Sequence, residues 1–224
     1  AVSGDKVSLY LHGTVGAFYD GIEFSKVQQA LADIKSDVIE VHLNSYGGDM
    51  FDGIAIKNYL VQREEHIRVI IDGIAASAAS VIAMAGDEIL MPKDTQLMIH
   101  KPWTWTAGNA DELRKTADDM DKATKSIQES YLKRFVGDRE ELQALLDAET
   151  YLTAEEAVTF GLADGLLESE PKEAEPEIAE KEAVSPTAAL MAKYGGQKIA
   201  SSVEESAPKK PSNDGLLKFA KLFN

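Results

Sequence analysis

The chain has 224 residues, is 44% hydrophobic and 27% charged, and carries a net charge of −15 with an isoelectric point near 4.7. That length suits one sizeable globular domain with room for a tail, and the acidic balance argues against general nucleic-acid binding, which needs clustered Lys and Arg. Zero cysteines exclude disulfides, thiolate zinc sites and a cysteine nucleophile.

Lys6–Leu11, Val38–Leu43 and Ile67–Ile71 are β-branched-rich runs of strand length. Between them, Ile22–Ile34 and Phe51–Arg63 repeat apolar residues every three or four positions, as amphipathic helices do. Strand–helix–strand–helix order predicts right-handed crossovers and a largely parallel sheet, with ligand chemistry at the carboxyl ends of its strands. Three Gly- or Ser-rich turns fall at those ends: His12-Gly13, Asn44–Gly48 and Gly73–Ser77. In the last, Gly73 is expected to turn the chain and Ser77 to land at the mouth of a small-residue helix. There, unpaired backbone N–H groups favour developing negative charge. The same position suits an ordinary N-cap serine, with Ser80 a small packing residue.

Asn109–Phe135 reads as a long helix, Asn109 and Glu112 fitting a capping pattern. Leu113, Ala117, Met120, Ala123, Ile127, Tyr131 and Phe135 form a narrow apolar stripe on it. Such a stripe suits either packing between subunits or packing on the helix's own domain. Composition changes after Leu167, so residues 1–167 are expected to form the domain and 168–224 an acidic, largely disordered linker. Within that tail Ser185–Tyr194 could form a short helix, and Leu216–Phe223 is a short amphipathic segment suited to docking on a partner. The tail holds ten acids and eight bases, so the charge imbalance sits in the domain. No window reaches the roughly 18 apolar residues of a membrane span, no signal peptide is evident, and Ala1 at the start fits a trimmed leader. The expectation is a cytoplasmic chain.

A serine nucleophile needs a base, an acid to orient the base, and N–H donors for the oxyanion. Of four histidines, His12, His42 and His66 read as surface or satisfied polar residues. His100 differs, because it closes the apolar run Gln96–Ile99 and meets Lys101-Pro102, which stops regular structure and projects it from a strand end.

Four segments, in order, resemble the ClpP peptidases: Asn44-Ser-Tyr-Gly-Gly48, with Tyr46 where the family has proline; Gly73–Ser80; Leu97-Met-Ile-His-Lys-Pro102; and Leu152–Ala157 followed by Gly161–Asp164. The resemblance covers about residues 6–167 and is nearest to the ClpP-related proteases of phage and prophage head-assembly modules. It implies an α/β ClpP/crotonase-like ββα spiral with a long protruding handle helix, and a serine endopeptidase needing no metal or organic cofactor. Partners implied are a protein or peptide substrate and copies of the chain itself in homo-oligomeric rings that can stack, with neither nucleic acid nor membrane. Carried over by position, Ser77 matches the nucleophile, His100 the base, and the N–H groups of Gly48 and Ala78 the oxyanion hole. The acid falls on Glu149, where most members have Asp; Asp147, two residues earlier and on the same face of an extended segment, competes for that role. Gly47-Gly48 and Pro102–Gly108 could grip an extended substrate, with Trp103 and Trp105 sharing one face, though both could equally be plain core aromatics. The family's axial segment is nearly missing before Lys6 and an acidic tail replaces the short C-terminus, which leaves dependence on an AAA+ unfoldase open. Two other readings compete: a crotonase-type acyl-CoA enzyme, which needs no such triad, and a non-catalytic assembly or scaffolding protein working through its tail. A Ser–Lys peptidase would want a lysine base and a membrane context.

Overall fold

Strands and helices alternate from Lys6 to Met91 within residues 5–17 and 21–168, the part of the chain that the computed structural model describes. In order they are β1 (Lys6–Val15), α1 (Phe24–Leu31), β2 (Val38–Gly48), α2 (Met50–Val61), β3 (His66–Ala76), α3 (Ala78–Ala83), β4 (Glu88–Met91), β5 (Gln96–Ile99), α4 (Ala110–Leu132), α5 (Arg139–Asp147), β6 (Thr150–Thr153), α6 (Ala154–Thr159) and β7 (Gly165–Leu166). The linker, short helix and amphipathic segment expected beyond residue 168 lie outside the described residues. Among the described residues no helix is long and apolar enough to cross a membrane.

β1, β2, β3, β4 and β7 lie side by side in that order, all parallel, as the alternating pattern requires. β3 is the branch point. Its first half pairs with β4, Arg68 opposite Glu88, while its second half pairs with β5, Ile74 opposite Gln96. β6 then adds antiparallel to β5. Val41, Leu43, Val69, Ile71, Ile89 and Leu97 are fully buried, and Val27, Leu31, Ile56, Leu60 and the five apolar residues of α3 pack with them in one core.

The strands outrun the apolar segments that mark them. β2 continues through Asn44–Gly48, and β3 continues through Gly73 to Ala76, so Gly73 does not turn the chain. The reason is a local substitution of partners. Between Leu43 and Ser45 the β2–β3 register shifts, and there the Asn44 side chain accepts the Ile74 N–H at 3.3 Å. The carboxamide bridges the irregularity, and the strand runs on to deliver Ser77.

α4 is capped as expected. The Asn109 side chain accepts from the N–H groups of Asp111 and Glu112, and Glu112 accepts the Asn109 N–H in return. The stripe divides along its length: Ile127, Tyr131 and, just past the helix, Phe135 are buried in the domain, whereas Leu113 and Ala117 are exposed. The half nearer the C-terminus thus packs on its own domain, and the half nearer the N-terminus lies exposed.

Candidate active site

Ser77 occupies the single-residue joint between β3 and α3, at φ 55° and ψ −124°. A non-glycine residue rarely adopts that backbone, and it persists only where its surroundings hold it. Its own N–H donates to the Met98 carbonyl of β5 at 2.9 Å, and its side chain caps nothing. Ser77 is therefore not an N-cap serine in the usual sense, because its hydroxyl turns away from the helix it precedes.

That hydroxyl meets His100. Ile99, the last residue of β5, stands opposite Thr150, the first of β6. One step further along both strands, antiparallel register sets His100 opposite Glu149. His100 Nδ1 lies 3.1 Å from Glu149 Oε1, and Nε2 lies 2.7 Å from Ser77 Oγ. An ionised carboxylate only accepts, so the imidazole proton sits on Nδ1 and the Ser77 hydroxyl donates to Nε2. The His100 side chain is 8% exposed, that of Glu149 68%.

Asp147 is elsewhere. It is the last residue of α5, and Glu149 at φ 49° turns the chain from that helix into β6, so 147–149 is not an extended segment with a shared face. Asp147 instead takes hydrogen bonds from Lys101, at 3.0 Å, and Gln143, which hold its carboxyl below the usual range.

The glycine end of β2 closes the site from the other side. Gly47, at φ 94°, lies so near the joint that a Cβ there would fall 2.7 Å from both Ala76 O and Ser77 Cβ, and 3.0 Å from the Ala78 nitrogen. Gly48 has no more room: its Cβ would meet Val15 O at 2.1 Å. Ser45, buried, accepts the Gly47 N–H on its Oγ at 3.0 Å and fixes this approach. Trp103 and Trp105 are 76% and 91% exposed on the irregular stretch between β5 and α4, so neither is a core aromatic.

Two contributors escape a reading by motif. Ser80 is more than a small packing residue: its hydroxyl donates to the Ser77 carbonyl at 2.6 Å and lies 2.8 Å from the Tyr131 hydroxyl. The available signal was Ser80's place three residues after Ser77, from which a helical serine reaches back to a carbonyl. Tyr131 shows itself only as a polar-tipped aromatic on a buried stripe, which must find a partner.

Residues 24–170 match the family model described as Clp protease. A chloroplast protein of Arabidopsis thaliana named ATP-dependent Clp protease proteolytic subunit 6 is 31% identical over 147 residues, 64% of this chain and 54% of that protein. An ATP-dependent Clp protease proteolytic subunit of Ligilactobacillus salivarius is 30% identical over 137 residues, 60% of this chain and 69% of that protein. The match thus spans about half the length of the plant relative. With well over half of its length matched, the chain belongs to the Clp protease family, and its α/β fold is the ClpP/crotonase-like one.

Proposed function

We propose, with membership of that family as the premise, that the chain is a serine endopeptidase working through an acyl-enzyme. The observation that carries this reading is the unbroken hydrogen-bond chain from the Ser77 hydroxyl through His100 to Glu149, built on a serine whose strained backbone aims its hydroxyl at the imidazole. In the first half-reaction Ser77 Oγ attacks the scissile carbonyl carbon and its proton passes to His100 Nε2. The imidazolium, held by Glu149, returns that proton to the leaving amine as the C–N bond breaks. Water then enters by the same route, and deacylation regenerates the Ser77 hydroxyl.

The N–H groups of Gly48 and Ala78 are the proposed oxyanion donors. Ala78 opens α3, and the first N–H groups of a helix have no intrahelical partner. Just past β2, the Asp49 N–H donates to Val15 on β1, so strand alternation turns the Gly48 N–H toward the opposite edge, where Ser77 follows β3. An extended substrate would add alongside Gly47-Gly48, with the exposed stretch bearing Trp103 and Trp105 as its other border. A lysine base is disfavoured, since the group hydrogen-bonded to Ser77 is an imidazole.

Assembly into rings, in the cytoplasm, belongs to the same proposal. Its support is the exposed half of α4, where Leu113 and Ala117 have no cover from the domain. Processing of phage or prophage head proteins is the substrate expected from the sequence resemblance.

Fluorophosphonate labelling of the purified chain, read beside cleavage of unstructured peptides and light scattering, tests the whole reading. Covalent addition at Ser77, peptide cleavage and a mass of several chains are expected. A chain that neither takes the probe nor cleaves any peptide refutes the peptidase reading, and a monomer that cleaves well refutes the ring.

A further inference from the structure

Behind the strained joint lies a second chain of hydroxyls that takes no direct part in proton transfer. Ser80 is completely buried on α3 and Tyr131 is 1% exposed on α4, 51 residues further along the chain. Their proton order follows by counting. The Ser77 carbonyl can only accept, so the one Ser80 proton goes to it, at 2.6 Å, and the Tyr131 hydroxyl must therefore donate to Ser80 Oγ, at 2.8 Å. The order Tyr131 to Ser80 to Ser77 is thus fixed, each bond polarising the next.

The Ser77 carbonyl has one other donor, the Val81 N–H, at 3.3 Å. The Ser80 hydroxyl is the closer by 0.7 Å, as the two distances show. A side chain thus supplies the shorter of the two hydrogen bonds to this carbonyl, and that side chain is itself steadied by a tyrosine from a different helix. Burial also pushes the Tyr131 hydroxyl pKa up, leaving it a neutral donor across the working range.

We propose that Ser80 and Tyr131 are positioning residues for Ser77: they hold its carbonyl, and through it the backbone angles that put Oγ 2.7 Å from His100 Nε2. The role rests on the reading of Ser77 as nucleophile. Small errors in the placement of a reacting group are costly, so loosening the joint slows acylation without changing how a peptide binds elsewhere.

A merely structural role and a positioning role part ways in the double variant. Ser80→Ala strands the Tyr131 hydroxyl in the core, which destabilises the fold; Tyr131→Phe in the same chain removes the stranded group and restores much of that stability. If the pair served only to satisfy one another, labelling would recover along with stability. The positioning role predicts that it does not.

The experiment measures the rate of fluorophosphonate labelling by intact mass, kcat and KM on a peptide, and the thermal midpoint, for Ser80→Ala, Tyr131→Phe and the double variant of the full chain. Ser80→Ala is expected to slow labelling and lower kcat about tenfold with KM unchanged, and Tyr131→Phe about threefold. The double variant should label as slowly as Ser80→Ala yet melt closer to wild type. Should Ser80→Ala fail to fold, Tyr131→Phe and the double variant still decide. Labelling at the wild-type rate in folded variants overturns the positioning role and leaves the peptidase reading standing. A wild-type chain that takes no probe overturns both.

Discussion

Of the histidine–carboxylate groups on this sheet, two stand in contrast, and only one of these two has a serine in it. Beyond β5, His100 has a carboxylate on one nitrogen and the Ser77 hydroxyl on the other. On the outer face of β1–β3, His42 lies 2.8 Å from Asp72 through Nδ1 and 3.3 Å from Glu40 through Nε2, while His12 reaches the second Asp72 oxygen at 2.9 Å. The Tyr10 ring stacks on His42, with centroids 4.6 Å apart. There both nitrogens of His42 face acceptors, and none is left to receive a proton from a nucleophile. An imidazole–carboxylate pair is therefore not a catalytic device by itself. It becomes one where strand register brings the carboxylate to one side and a strained joint brings a hydroxyl to the other.

Removing that hydroxyl breaks the comparison most severely. Ser77→Ala is expected to cut peptide turnover by roughly 10⁶ and abolish fluorophosphonate labelling, with far-UV circular dichroism unchanged. Cleavage near the wild-type rate would mean that His100 serves no more as a base than His42 does.

The next largest effect separates two acids. Glu149→Gln should lower kcat by about 10⁴, since the amide can no longer stabilise the imidazolium or fix its tautomer. Asp147→Asn should stay close to wild type, because Asp147 is engaged with Lys101 and Gln143 rather than with His100. Steady-state rates of the two variants settle it, and an exchange of their effects would move the triad acid into α5.

The two groups differed in legibility for a physical reason. Apolar periodicity marks strands and helices along most of residues 6–167, and a motif marks Ser77 and His100 because each ends a strand at a place where regular structure must stop. Strand ends inside β2 and β3 were hidden, since Asn44 supplies with its side chain what the register shift takes from the ladder. The Glu149 position depends on β5–β6 register, which, continued one step past Ile99 and Thr150, brings together His100 and Glu149, 49 residues apart in sequence. The choice of Glu149 over Asp147 could thus be carried by position in a family but not by local spacing, and local spacing misread 147–149 as extended. The outer group was hidden further still, because Lys6, Glu40, Arg68 and Glu88 come together only when four strands align.

Asp72→Asn should sharpen the comparison from the other side. It removes the carboxylate shared by His12 and His42, both partly exposed, so its cost to stability should stay within about 1 kcal/mol. Peptide cleavage should be unchanged. A loss of activity as large as that of Glu149→Gln, measured under the same conditions, would mean the outer group is coupled to the triad.

An effect on stability of similar size, at Glu40, should be the most specific in its pH dependence. Burial alone would raise the Glu40 carboxyl, but hydrogen bonds from Lys6, at 2.7 Å, and from His42 outweigh it and hold the pKa below its ordinary value. A carboxyl depressed in the folded state contributes stability that is fully present above its unfolded pKa and is lost as pH falls through the lower folded one. Glu40→Gln keeps the shape and removes the charge, so it should cost about 1 kcal/mol at pH 7, read from urea midpoints. Below the ordinary carboxylate range the wild type loses that advantage, and the two unfolding curves should draw together. A gap that stays constant down to pH 3 would assign the cost to lost packing instead of charge. Peptide cleavage by Glu40→Gln at pH 7 should match wild type, as Glu40 pairs with Lys6, Arg68 and His42 on the outer face and takes no part in the proton chemistry at His100.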